Sequence, residues 1–199
     1  MLSTVIVVGA LFSIYTATPS SIADSCYIEK SIDYSINYNE RVEGYREGEK
    51  VLIVASTIPF RDVNGNWLKL QIDAAENFVE LAEKAEEAGF SIRINSAFRT
   101  RREQRRLRRR LGEIAAKVGW SNHQTGTAVD IAGTTAFIPY KSINKNHYSK
   151  EYCKHTKHHG VSGVRCPTRL FWWLKKNGPS FGFYNTVEHE PWHWDYNGF

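Results

Sequence analysis

Two short stretches of this 199-residue chain hold side chains of the types and spacing that bind and use a metal ion. The first runs Ser121-Asn122-His123-Gln124-Thr125-Gly126-Thr127-Ala128-Val129-Asp130, and the second Glu190-Pro191-Trp192-His193-Trp194. Together they supply His123, Asp130 and His193. Two imidazoles and one carboxylate suit Zn²⁺ and leave a fourth tetrahedral position open, the arrangement of a catalytic rather than a structural ion. His123 and Asp130 are too far apart for adjacent helical turns. They suit a turn through Gly126 followed by a strand that brings Asp130 back toward the same metal. Glu190 stands three residues before His193; unless it joins the metal itself, it can reach a metal-activated water as a general base.

Both strings resemble the zinc D-alanyl-D-alanine carboxypeptidases of the VanY type. Their patterns are Ser-x-His-x-x-Gly-x-Ala-x-Asp and Glu-x-x-His with Trp before the His, and every fixed position is matched here. A third element of that family, Ser-Gly-Tyr-Arg followed by Ser or Thr and a downstream Gln, is similar to Ser96-Ala97-Phe98-Arg99-Thr100 with Gln104. Ala97 and Phe98 depart from the usual Gly-Tyr, and Phe98 lacks the hydroxyl. The resemblance extends from about Phe78 to Tyr196. It implies the hedgehog/DD-peptidase fold and a peptidase of cell-wall peptides in which His123, Asp130 and His193 hold one Zn²⁺. Glu190 would then take the proton of the attacking water and deliver it to the leaving amine. Arg99 would stabilise the oxyanion or grip a terminal carboxylate, and Ser121 and Gln104 would contact substrate or support the site. The implied partner is a peptidoglycan stem peptide, with release of terminal D-Ala the leading activity. Cleavage inside the same peptide is the alternative, and a non-catalytic wall-binding module a third reading.

The elements that must position these residues can be read around them. Val51–Ala55 is a short continuous apolar run, as a buried strand is, and Asn64-Gly65 signals a turn before Trp67, Leu68 and Leu70. Phe78, Leu81, Ala82 and Ala85 recur at helical spacing until Gly89, and Phe90–Asn95 alternates as a strand. A second helix is expected with Gln104, Leu107, Leu111 and Ile114 on one face. Thr127–Ile131 reads as a strand, Pro167 as the start of a short helix carrying Leu170, Trp173 and Leu174, and Trp192–Tyr196 as a final strand. The sum is one α+β domain with a mostly antiparallel central sheet flanked by helices. Its extent is 51–199, after an extended lead-in at 24–50 and with a His- and Lys-rich insertion at 133–167.

Composition bounds these readings. Apolar residues make up 42% and charged residues 24%, which excludes a disordered or polytopic membrane chain. The net charge is +5, but eight arginines against one acid, Glu103, between Arg99 and Arg110 give +7, so the rest carries −2. A helix bearing Arg101 to Arg110 is a solvated face that could also attract an anionic envelope polymer. No nucleic-acid motif accompanies it, and no nucleic-acid partner is expected. Met1–Ala23 has no charged side chain, and its apolar run Val5–Tyr15 has signal-peptide length, so residues 1–23 read as a leader or an N-terminal anchor and the protein as exported. Cys153 and Cys166 then suit a disulfide, with a second structural zinc using His155, His158 or His159 as the alternative; Cys26 is left over.

Overall fold

The computed structural model describes residues 37–142 and 153–198. Strand β1 (Asn37–Arg46) pairs antiparallel with β2 (Glu49–Arg61) through a two-residue turn in which Glu47 and Gly48 both have positive φ, 52° and 87°. That is the turn whose twist matches a hairpin. The chain doubles back again at Asp62, whose carboxylate accepts from the backbone N–H groups of Asn64 and Asn66, and β3 (Trp67–Gln71) pairs with β2. Helix α1 (Ile72–Glu87) follows without a loop; the Gln71 side chain accepts from Ala74 N and caps it. The expected stripe of Phe78, Leu81, Ala82 and Ala85 is its buried face, and Gly89 at φ 81° turns the chain away.

A second sheet carries the chemistry. It comprises β4 (Ile94–Ser96), β5 (Ala128–Ile131), β9 (Phe183–Tyr184) and β10 (His193–Tyr196), in the order β4-β5-β10-β9. Residues 133–167 form a third sheet of β6 (Thr135–Pro139), β7 (Lys154–His158) and β8 (Val161–Pro167), ordered β6-β8-β7. Two further helices are α2 (Arg101–Leu111) and α3 (Arg169–Asn177). The main core joins the first two sheets with α1 and α3. Phe78 sits edge-on between Phe60 and Phe183, with ring centroids 5.6 and 5.5 Å away, and Trp194 packs beside Phe171.

Several expectations need correction. The antiparallel α+β fold itself is as expected, since every strand pairing is antiparallel; the strands divide among three small sheets. The stretch 24–50 is no mere lead-in over its described part. β1 runs along β2, and at Gly44 a side chain would meet Gln124 O at 2.7 Å, so this strand backs the loop that carries His123. Of the expected strand Phe90–Asn95 only Ile94 and Asn95 join a ladder, within β4 (Ile94–Ser96). The apolar face expected of α2 is not buried: Ile114 is 79% exposed beyond a break at Gly112, and only Gln104 is fully covered. Pro167 ends β8, and Thr168 caps α3 instead. Cys153 and Cys166 form a disulfide, which removes both sulfurs from any second metal site. Cys26 and residues 1–23 lie outside the described residues. Among the described residues no helix is long and apolar enough to cross a membrane.

Candidate metal centre

The antiparallel register of β5 and β10 sets Asp130 directly opposite His193, and Val129 opposite Trp194. Because strand side chains alternate, Val129 and Trp194 enter the core while Asp130, His193 and Asp195 share the other face. His123 reaches them from the turn after Ser121. Within that turn the Asn122 carbonyl accepts from Thr125 N and Thr127 N, and the carbonyl of Gly126, whose φ is 72°, accepts from Gln71 N at 2.9 Å. A side chain at Gly126 would meet the Gln71 nitrogen at 2.7 Å, so glycine is required there both for φ and for close approach.

Three atoms converge: His123 Nε2, His193 Nδ1 and Asp130 Oδ1, separated by 3.3, 3.3 and 3.2 Å. The far ring nitrogens settle the tautomers. His123 Nδ1 donates to the Ala97 carbonyl at 2.7 Å, and His193 Nε2 donates to Asp195 Oδ1 at 3.1 Å. Carbonyl and carboxylate oxygens can only accept, so the inward nitrogens present lone pairs. Three acceptors this close repel unless a positive charge sits among them. A proton serves on His193: burial opposes its charge, but hydrogen bonds to Asp130 and Asp195 raise it to about 9. Burial likewise opposes the Asp130 anion, yet His123 and His193 hold its carboxyl well below the usual range. A divalent ion fits better, since tetrahedral ligands about 2.0–2.1 Å from an ion lie about 3.3 Å apart. Among the described residues this is the one cluster of three such groups able to hold a metal.

The remaining candidates surround that triangle in a cleft of about 730 Å³. Arg99 donates to Gln104 Oε1 at 2.7 Å, Ser96 Oγ at 3.0 Å and Asp130 Oδ2 at 3.5 Å. Burial lowers its pKa, with the charges of Asp130, Glu103 and Glu190 opposing. Its backbone N–H bonds His123 O, and α2 begins immediately afterwards with a capping box between Thr100 and Glu103. Gln104 is fully buried and bonded at both ends of its amide, to Arg99 and to Ala116 O, so it meets a substrate only through Arg99. Ser121 lines the cleft, and among the described residues its hydroxyl has no partner. Glu190 also lines the cleft. Its carbonyl accepts from Asn185 Nδ2 and His193 N, while among the described residues its carboxylate is unbonded.

The sequence profile described as D-alanyl-D-alanine carboxypeptidase, VanY, matches residues 68–199. The chain belongs to the VanY family. No curated protein matches the sequence significantly. Among solved structures it is similar to VanYB in complex with D-alanine-D-alanine, with 21% identity over 69% of this chain and 76% of that one, TM-score 0.45. It is similar also to a mutant of the vancomycin-resistance D,D-pentapeptidase VanY in complex with Zn(II), with 22% identity over 69% and 77% of the two chains and TM-score 0.45. A third is the LdcB LD-carboxypeptidase, with 22% identity, 70% and 65% coverage and TM-score 0.45.

Against the VanY pattern the departures at Ala97 and Phe98 have different consequences. Ala97 acts through its carbonyl, so its methyl group, buried in the core, leaves the bond to His123 intact. Phe98 lacks a hydroxyl and lines a neighbouring cleft beside Arg106 and Arg110. One supporting residue escaped the sequence reading. Asp195 holds His193, and its carboxylate accepts from Asn122 Nδ2 at 2.9 Å and from the Thr186 hydroxyl. The signal was present in His193-x-Asp195, since residues two apart on a strand share a face.

Proposed function

We propose that this VanY-family chain is a zinc-dependent carboxypeptidase that releases D-Ala from peptidoglycan stem peptides. The observation that carries the reading is the triangle of three inward acceptors beside an unengaged carboxylate, Glu190, on the same cleft. His123 Nε2, His193 Nδ1 and Asp130 Oδ1 would hold the ion. When bound, zinc supplies Lewis acidity, lowering the pKa of a coordinated water and polarising a carbonyl.

The chain's own groups account for the rest. The water oxygen adds to the carbonyl carbon while its proton goes to Glu190; the C–N bond then breaks and Glu190 returns the proton to the departing amine. Arg99 keeps two of its five N–H donors uncommitted after Gln104, Ser96 and Asp130 are served. A fixed cation of that kind suits the terminal carboxylate of an exo-acting substrate or the oxyanion of the tetrahedral intermediate. A cell-wall substrate places the activity in the envelope, and the uncharged stretch Met1–Ala23 supports export through a leader or an anchor.

Defined muropeptides incubated with the purified protein, with and without chelator, test this by product mass. Loss of one terminal D-Ala, abolished by chelator, is the expected result; fragments cut internally would assign an endopeptidase. Glu190→Gln should reduce kcat by about 10²–10⁴-fold with zinc content unchanged. Equal loss of zinc and turnover would move Glu190 into the metal shell.

A further inference from the structure

A second groove, also about 730 Å³, lies between the insertion sheet, α3 and the loop 185–192. It shares two lining residues, Thr186 and Trp192, with the metal cleft, so the two lie side by side. Its charged lining is cationic: Lys154, Arg165 and Lys175 against Glu188 alone. Lys154 and Arg165 stand directly opposite each other in the β7–β8 ladder. Like charges at facing positions destabilise a sheet. Here they are held together by the disulfide one residue outside each of them, Cys153–Cys166. Lys154 also donates to His189 Nδ1, while Arg165 and Lys175 have no carboxylate partner among the described residues. An anion bridging these cations would relieve the repulsion.

We propose that this groove is a second substrate subsite, which takes the free side-chain carboxylates of the same peptidoglycan peptide whose terminus enters the metal cleft. The inference rests on the reading given under Proposed function. It assigns a role to the 133–167 insertion, whose three strands hold no metal ligand: they supply Lys154 and Arg165, two of the three cations that choose the peptide. The Asn185 amide, on the groove wall, bonds the Glu190 and His193 carbonyls, so a peptide seated here lies against the support of the proposed base.

The test compares kcat/KM for a pentapeptide with free side-chain carboxylates and for the same peptide with those carboxylates amidated and its terminal D-Ala unchanged. The wild-type protein should favour the free acid by about three- to tenfold at low salt, the scale of two exposed ion pairs. That ratio should fall toward one in Lys175→Glu and in Arg165→Gln. It should persist in Lys176→Glu, one residue along α3 and outside the groove. A wild-type ratio of one, or the same ratio in all variants, overturns the subsite while leaving D-Ala release intact. If neither peptide loses D-Ala, the proposed function fails and binding of the tripeptide stem alone decides the groove. Tryptophan quenching by that tripeptide, weakened in Lys175→Glu, supports the subsite; no quenching overturns it. Displacement of the tripeptide by a lower charge concentration of poly(glycerol phosphate) would instead assign the groove to a phosphate polymer.

Discussion

His193 shows how much of a metal centre lies behind the ligand atom. Its Nδ1 points inward only because Nε2 donates to Asp195, which is fixed in turn by Asn122 and Thr186. Partners of this sort set the tautomer and basicity of the ligand. Asp195→Ala should therefore lower zinc affinity by about 10–100-fold in chelator competition, with the far-ultraviolet spectrum unchanged. Asp195→Asn, which keeps an oxygen for the imidazole N–H, should recover part of the loss. Unchanged affinity in the alanine variant would show that His193 is oriented by its strand alone. At this scale the sequence was informative wherever chemistry demands a residue type: both imidazoles, Asp130, Glu190 and Arg99 meet in one cleft. The spacing puts Gln104 on the helix face that carries Leu107 but does not mark it as the partner of Arg99. That pairing depends on the capping box at Thr100 bringing the start of α2 over the site.

Elements differ in how plainly a sequence declares them. Helix α1 buries a stripe that its spacing announced, whereas β1 reads as polar because most of it faces solvent and only Gly44 and Tyr45 are covered. Edge strands of this sort leave no apolar period, and their pairing is set by the turn at Glu47-Gly48. Helix α2 misleads in the opposite direction, since its apolar spacing is real but nothing packs over Leu111 and Ile114. What α2 presents is charge. Arg101, Arg102, Arg105, Arg106, Arg109 and Arg110 are exposed, and among the described residues none forms an ion pair. We propose that this face attracts an anionic envelope polymer toward the cleft, which Arg110 and Leu107 also line. Binding to poly(glycerol phosphate) should weaken steeply with salt, and Arg105→Gln with Arg109→Gln should make the log–log slope shallower by roughly 1 to 2. A slope untouched by the double substitution would leave the arginines as a solvated face.

Taken whole, the molecule closes its site with segments far apart in sequence: Ala97 and Arg99 after β4, the turn at His123, Asp130 on β5 and His193 on β10. An antiparallel α+β domain was foreseeable from local pattern. Its division into three sheets was not, because register between distant strands is decided by packing around Phe78, Phe183 and Trp194 rather than by any window of sequence. A ligand gripping those distant segments binds the folded chain and not the unfolded one, so it must raise stability by mass action. At a free zinc concentration of 100 times the dissociation constant the gain is about 2.7 kcal/mol. For a chain of this size that is roughly 5–10 °C in Tm. Calorimetry on chelated protein should show this rise on adding zinc and none on adding magnesium, which prefers an all-oxygen octahedral shell. His123→Ala, with one acceptor of the triangle removed, should lose most of the rise. Equal shifts in the wild-type and His123→Ala proteins would mean that zinc stabilises the fold from somewhere other than this cleft.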